Sequence, residues 1–428
     1  MENTESADKN LTGNLLVAQS GGPTPVINAS LAGVISAALQ FEDEIGEIYG
    51  AVNGVEGILG ENLVDLAAES QQTVRLLSTT PGAALGSCRR KLNTPEEFAR
   101  ILEVFKAHDI RFFHYIGGND SQDSSKKIAD YCASQGYEVR VIGVPKTIDN
   151  DLPITDHCPG YGSTIKYVAT TVRELSLDSA SLGRNNLVTI VEVMGRGAGW
   201  IAAGATLARR KGVPEDAPHI VLLPEAAFDA AAFAERVREV LTRQTHCVVV
   251  AAEGLKDAAG NFLGAGTGVD AFGHPTLGGV CEYLKSVIEN TFAGVKTRCC
   301  RLGHVQRTAS HCASMTDITE AFEAGAAAVK AAVAGETGKM VVIVRDEREH
   351  YSVRMELSEL DGIANGEKLF PAAWIGGDGM SVGGQFAKYA LPLIYGEPKL
   401  SYENGLPKYA ELARYGVEKK CPPFSENA

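Results

Sequence analysis

No stretch of the chain has the unbroken apolar length that a membrane-crossing helix needs, so a soluble, globular polypeptide is expected. Residues 1–12 are polar and mixed in charge, and they lack the apolar centre of a secretion signal. The nine cysteines include no Cys-x-x-Cys pair, and only Cys299 and Cys300 are adjacent. That spacing suits no zinc site, and an odd count of scattered cysteines fits the reduced thiols of a cytoplasmic enzyme. Positive charge is also short: 40 Lys and Arg stand against 53 Asp and Glu, a formal net charge of -13. Neither a nucleic-acid groove nor an anionic membrane is therefore an expected partner. A P-loop and the G-x-G-x-x-G fingerprint are missing too, which sets aside a Rossmann dehydrogenase.

What is present is enough apolar material for large cores: 45% of the 428 residues are hydrophobic and 22% charged. A chain of that length is expected to form two lobes. Short apolar runs alternate with helical patterns. Leu15–Ala18 reads as a strand, followed by Gly21-Gly22 and a helix over 26–39. The run 112–116 reads as a second strand, followed by Gly117-Gly118-Asn119-Asp120-Ser121 and a helix to Tyr131. Thr94-Pro95-Glu96-Glu97 carries an N-cap, a proline at the first helical position and early acids, so it starts a helix to about 107. Further strands are expected at 139–144, 187–193, 219–223 and 247–252, and a hairpin at 340–344 with 351–357. Gly160-Tyr161-Gly162-Ser163-Thr164 opens a helix expected to run through Leu175, and further helices are expected from 200 to 208 and 232 to 243. This alternation predicts an α/β fold with two doubly wound, mostly parallel sheets.

The most suggestive stretch is Pro145-Lys146-Thr147-Ile148-Asp149-Asn150-Asp151-Leu152-Pro153. It follows an apolar strand, at the carboxyl edge where open α/β sheets bind ligands. A lysine and two carboxylates crowded there could hold an anion, a base and a metal together. An Asx-rich turn capping its own backbone would carry the same residues. Two basic segments are similarly open. Arg89-Arg90-Lys91 follows a small-residue turn and reads more simply as a solvated run than as a phosphate grip. Arg298 to Arg307 holds Arg298, Arg301, His304 and Arg307, an anion clamp or a strand with one basic, solvated face. Residues 255–275 read as a long surface excursion, and Gly376-Gly377-Asp378-Gly379 as a loop rather than a site.

Taken in order, Gly21-Gly22, Gly117 to Ser121, Pro145 to Asp151, Met194-Gly195-Arg196 and Leu302-Gly303-His304-Val305-Gln306-Arg307 resemble the motifs of the phosphofructokinases, over residues 13–345. Together they are similar to the pyrophosphate-dependent branch. The resemblance implies a diphosphate–fructose-6-phosphate 1-phosphotransferase with its active site in the cleft between the lobes. Its substrates would be pyrophosphate and fructose 6-phosphate, its cofactor Mg²⁺, and its assembly a homodimer or homotetramer. The implied domains are a disordered 1–12, a donor-phosphate lobe at 13–160, a sugar-phosphate lobe at 161–345 and an extension at 346–428 packing back on both. An ATP-dependent 6-phosphofructokinase and a non-catalytic regulatory subunit are the alternatives.

By the same resemblance Asp149 is the general base, with Lys146, Asp120 and Arg196 as its catalytic partners. Thr147, Ile148, Met194, Gly195 and Glu253 would meet the sugar, and Arg298, His304 and Arg307 would clamp its phosphate. Gly22 and Arg89 would meet the donor, and Asn119 and Asp151 the metal. Nucleotide-using relatives carry glycine where this chain has Asp120 and Lys146. A carboxylate about 4 Å from a nucleotide's α-phosphate would repel it by about 4 kcal/mol at an effective dielectric near 20. That is on the order of a thousandfold against ATP. Asp120 and Lys146 are expected to order one another through opposite charge. The chain departs from the family pattern at Asn119 (usually aspartate), at Thr308-Ala309 (usually glycines), and at Leu187, where an arginine reaches a neighbouring subunit and Arg184 is out of register.

Overall fold

The computed structural model describes residues 11–182, 187–264, 277–364 and 366–424. Residues 1–10 of the expected disordered terminus lie outside the described residues, as do Arg184 and most of the excursion read at 255–275. Leu11, by contrast, packs against a hydrophobic core.

The strands β1 (Gly13–Gln19), β2 (Ile45–Ala51), β3 (Leu63–Asp65), β4 (Ile110–Gly117) and β5 (Arg140–Pro145) begin the first sheet. The chain then builds a second sheet from β6 (Leu187–Val193), β7 (Ile220–Leu222), β8 (His246–Ala252) and β9 (Lys296–Arg301). It returns to the first sheet with β10 (Lys339–Arg345) and β11 (Val353–Glu359). A small ribbon, β12 (Tyr402–Glu403) with β13 (Leu406–Pro407), precedes β14 (Tyr415–Gly416). The first sheet has eight strands in the order β11-β10-β5-β4-β1-β2-β3-β14, and the second has four in the order β7-β8-β6-β9. The second sheet is wholly parallel. In the first, β10, β5, β4, β1 and β2 run parallel, while β11, β3 and β14 are antiparallel to their neighbours.

Parallel strands covered on both faces need apolar residues on both, which is why these runs lack polar alternation. On one face of the first sheet Leu15, Val17, Phe112, Ile142 and Val144 pack under the helices Ile27–Ala38 and Met315–Val333. On the other, Leu16, Ala18, Phe113, Tyr115 and Val141 meet the helices Pro95–Ala107 and Asn119–Ser134. The first pair of helices touches through glycines: a Cβ on Gly33 would lie 2.0 Å from the Phe322 carbonyl, and one on Gly325 2.1 Å from that of Ser30. Thr94 and Glu97 form a reciprocal capping box at the start of Pro95–Ala107, with Pro95 in the first turn.

This pairing moves the expected lobe boundary. The stretch 315–345 was expected in the second lobe, but Met315–Val333 and β10 belong to the first sheet. Sequence order misleads here because the chain leaves a lobe and comes back to it. The extension from 346 serves both sheets: β11 and β14 lie in the first, while Phe370, Phe386 and Leu393 fill the core under the second.

Candidate active site

The carboxyl ends of β1, β4, β5, β6 and β8 open onto one cleft of about 630 Å³, walled by residues from both sheets. At one end, β1 delivers Gly21-Gly22 and β4 delivers Gly118 to the start of the helix Asn119–Ser134. That helix begins at the cleft wall, and a helix N-terminus favours anions. Lys146 is buried and donates from Nζ to the Gly22 carbonyl at 2.9 Å. A Cβ on Gly21 would lie 3.1 Å from Lys146 Nζ, and one on Gly22 would lie 2.9 Å from Arg307 Nη1 and 4.0 Å from Arg89 Nη2. The glycine pair thus lets three cations converge on one bend of backbone. Burial pushes the Lys146 ammonium down to about 8, and Arg307 and Arg89 add to this against the pull of Asp149 and Asp151. Burial, with Arg89 beside it, also lowers the Arg307 guanidinium, whose Nε is buried without a hydrogen-bond partner. Crowded, desolvated cations of this kind suit a polyanion.

β5 ends at Pro145 and leads into the turn. The Lys146 N–H donates to Gly117 O at 3.2 Å, and the Asp149 N–H to Thr147 Oγ1 at 3.1 Å. Thr147, Ile148, Asp149 and Asp151 line the cleft, whereas Asn150 is wholly buried with a left-handed φ of 56°. Burial pushes the Asp149 carboxyl up to about 7; Asp151 and Glu253 add to the shift, and Lys146 and Arg196 oppose it. Asp151 is raised as well, chiefly by burial. Asn119 lines the same cleft, and its Oδ1 is buried without a hydrogen-bond partner.

At the other end, β6 delivers Met194 and β8 delivers Glu253. Glu253 N–H donates to Val193 O at 2.9 Å, Gly254 N–H to Gly195 O at 3.2 Å, and Met194 N–H to Gln306 Oε1 at 3.2 Å. Gly195 holds φ 129°, so it shapes the turn through its backbone while Met194 and Arg196 line the cleft. Burial raises the Glu253 carboxyl, with Arg196 opposing.

Several expectations change. Arg298 and His304 do not reach the cleft. Arg298 is exposed on β9, an edge strand of the second sheet, and pairs with Asp178 at 3.1 Å; His304 is exposed on the 3₁₀ turn Gly303–Arg307. Within that motif the chain turns Gln306 and Arg307 inward, so the three-residue clamp is divided. Asp120 does not order Lys146: it pairs with Lys91 at 2.9 Å, while Lys146 is spent on Gly22. The run Arg89-Arg90-Lys91 lines the cleft, with Arg89 and Lys91 exposed in it and Arg90 bonded to Glu97. Of the supposed surface excursion, Leu255 is buried and Lys256 and Phe262 line the cleft.

Sequence reasoning missed Ser20, Tyr115, Lys256, Phe262 and Glu367 as cleft residues. Glu367 presses on the second-sheet turn, where a Cβ on Gly197 would lie 2.0 Å from Glu367 Oε1. Only Ser20 had a usable signal, its place beside the Gly-Gly turn.

Two mostly parallel sheets, a cationic bend and a buried carboxylate pair at their carboxyl edges define an α/β enzyme that handles phosphoryl groups. The chain belongs to the phosphofructokinase family, matching Phosphofructokinase over residues 14–332. A Halomonas elongata protein named pyrophosphate–fructose 6-phosphate 1-phosphotransferase is 45% identical over 416 residues, spanning 96% of this chain and 99% of its own. A Xanthomonas campestris protein of the same name is 45% identical over 419 residues, with the same coverage. The crystal structure of a pyrophosphate-dependent phosphofructokinase from Marinobacter aquaeolei is 41% identical, with a TM-score of 0.88, and covers 97% of this chain and 100% of its own.

Proposed function

We propose that this chain moves a phosphoryl group from inorganic pyrophosphate to the C1 hydroxyl of fructose 6-phosphate, giving fructose 1,6-bisphosphate and orthophosphate. The observation that carries the reading is Asp149, a half-buried carboxylate in the cleft, pushed up to about 7, with the cationic bend and the Met194–Arg196 turn lining the same cleft. A base with a pKa near the working pH is the effective kind. Asp149 takes the hydroxyl proton as the sugar oxygen bonds to phosphorus, and the bridging P–O bond breaks to release orthophosphate. Lys146, Arg89 and Arg307 neutralise the donor oxygens, and the helix beginning at Asn119 adds its N–H groups. Thr147, Ile148, Met194, Arg196 and Glu253 place the sugar.

Among the described residues no group of three or more His, Cys, Asp or Glu could hold a metal. This suits Mg²⁺, which binds through one or two protein oxygens plus substrate phosphates. Asp151 and the unpartnered Asn119 Oδ1 fit that role. When bound, the ion would add positive charge at the diphosphate oxygens. Asp120, tied to Lys91 across the donor end, places a carboxylate there that disfavours ATP. A homodimer or homotetramer in the cytoplasm belongs to the same reading; among the described residues no helix is long and apolar enough to cross a membrane.

The test is orthophosphate release from pyrophosphate with fructose 6-phosphate and Mg²⁺, set against ATP as donor. The reading expects kcat/KM for pyrophosphate to exceed that for ATP by on the order of a thousandfold. Equal values, or ATP preferred, would overturn it.

A further inference from the structure

The turn that carries Asp149 and Asp151 is gripped from behind by a side chain that lies outside every motif above. Lys368 Nζ donates to Asp156 O at 2.9 Å, to Thr155 O at 3.1 Å and to Asn150 Oδ1 at 3.3 Å. Its own N–H donates to Asp151 O at 2.7 Å, and its carbonyl accepts from Trp200 Nε1 at 2.9 Å. The ammonium also stands 5.3 Å from the centre of the Trp200 ring. Asn150, between the two carboxylates, holds its left-handed backbone with both the oxygen and the nitrogen of its amide engaged. Its Oδ1 accepts from Cys158 N–H at 3.0 Å as well as from Lys368, and its Nδ2 donates to Tyr389 Oη at 2.9 Å. Tyr389 Oη donates in turn to Asp156 O at 2.8 Å. Both Lys368 and Tyr389 lie beyond the residues that match the family, 14–332.

A non-glycine residue in the left-handed region persists only where its surroundings impose it. A buried ammonium is costly unless its hydrogens are all used, and an apolar side chain of similar length would fill the space more cheaply. Here all three hydrogens have acceptors, and every acceptor is on the turn 150–156. We propose that Lys368 is a positioning residue: its ammonium fixes Asn150 pointing away from the cleft, and thereby holds Asp149 and Asp151 facing into it. The inference rests on the reading of Asp149 as base, and it gives the C-terminal segment a part in catalysis.

The experiment compares Lys368→Met and Lys368→Arg with Leu284→Ala, which loosens the core on the other face of the second sheet, away from the turn and from Tyr389. Thermal stability, kcat, KM for both substrates and amide exchange over 148–158 are read on each. Lys368→Met should lose about 100-fold in kcat, as misplacement by about 1 Å does, with both KM values within about threefold. Lys368→Arg should recover roughly tenfold of that loss, and exchange over 148–158 should rise in Lys368→Met alone. Leu284→Ala should keep kcat even where its Tm falls as far. The proposal is overturned if Lys368→Met keeps wild-type kcat, if only KM moves, or if Leu284→Ala at matched Tm loses as much kcat. Should Lys368→Met not fold, Tyr389→Phe removes two bonds from the same lock and should lower kcat about tenfold; unchanged kcat there overturns the proposal. A wild-type enzyme inert toward pyrophosphate and fructose 6-phosphate would defeat the function proposed above instead. In that event exchange over 148–158 decides on Lys368: faster in Lys368→Met supports its role, unchanged removes it.

Discussion

The two ends of the cleft are built on opposite principles. At the Gly21-Gly22 end, Lys146, Arg89 and Arg307 crowd one bend of backbone, and burial lowers the Lys146 ammonium and the Arg307 guanidinium. At the Met194 end the carboxylates of Glu253 and Glu367 stand with Arg196 and Lys256, so acceptors and donors are mixed. On the proposed function the first end would select by net charge, as a diphosphate requires, and the second by the direction of individual hydrogen bonds, as a sugar requires. Asp149 lies where they meet: burial raises its carboxyl first, Asp151 and Glu253 add to the shift, and Lys146 and Arg196 oppose it.

Removing that junction should have the largest effect. Asp149→Ala is expected to lower kcat by ~10²–10⁴-fold with little change in either KM, because base action is realised in the transition state. Wild-type kcat/KM should rise with pH through about 7, since the base works only when deprotonated, and the rise should vanish in Asp149→Asn. Stability carries the opposite sign. A carboxyl raised from the ordinary value favours the folded state while protonated, and that advantage is lost as pH climbs toward 7. Asp149→Asn should therefore gain in Tm over the wild type at pH 8, relative to their difference at pH 4, in paired melting curves.

Arg307→Ala sharpens the contrast between the ends. With Nη1 against Gly22 and Arg89, it should raise KM for pyrophosphate about tenfold or more while leaving kcat nearly intact. A larger rise in KM for the sugar phosphate would assign Arg307 to the clamp that the resemblance implies.

Asp120→Gly asks whether charge at the donor end excludes nucleotides. The ratio of kcat/KM for ATP over pyrophosphate should rise, and Lys91→Ala should not raise it, because the carboxylate would remain and lose its neutralising partner. An unchanged ratio in Asp120→Gly would show that this carboxylate is not the gate. The smallest effect is expected from Asn119→Asp, which should lower the Mg²⁺ concentration for half-maximal activity a few-fold. Superimposed Mg²⁺ titrations would place Asn119 away from the metal.

Much of this was legible in the sequence wherever the cause is local. Buried parallel strands must be apolar throughout, so β1, β4, β5, β6 and β8 stand out as runs, and the glycine turns follow them directly. The Thr94–Glu97 box is likewise written in adjacent residues. What stayed hidden depends on side-chain direction or on distant chain. Arg298 and Arg307 are the same residue type in one motif, yet an edge strand turns one outward and a 3₁₀ turn brings the other in. Lys91 meets Asp120 and Lys368 meets Asn150 across separations that no periodicity records. The strand β2, Ile45-Gly-Glu-Ile-Tyr-Gly-Ala, carries two glycines and a glutamate, so it lacks the apolar run that exposes its neighbours.

The central claim is a direct transfer: one phosphoryl group leaves the cationic end and arrives on a sugar hydroxyl beside Asp149. Phosphorus-31 NMR of the wild-type enzyme with Mg²⁺, pyrophosphate and fructose 6-phosphate tests it most directly. The account predicts that, as pyrophosphate disappears, orthophosphate and a new phosphomonoester signal grow in equal amounts, and that Asp149→Ala stops both. Two orthophosphates per pyrophosphate with no new phosphomonoester would contradict it, because the cleft would then be delivering the group to water.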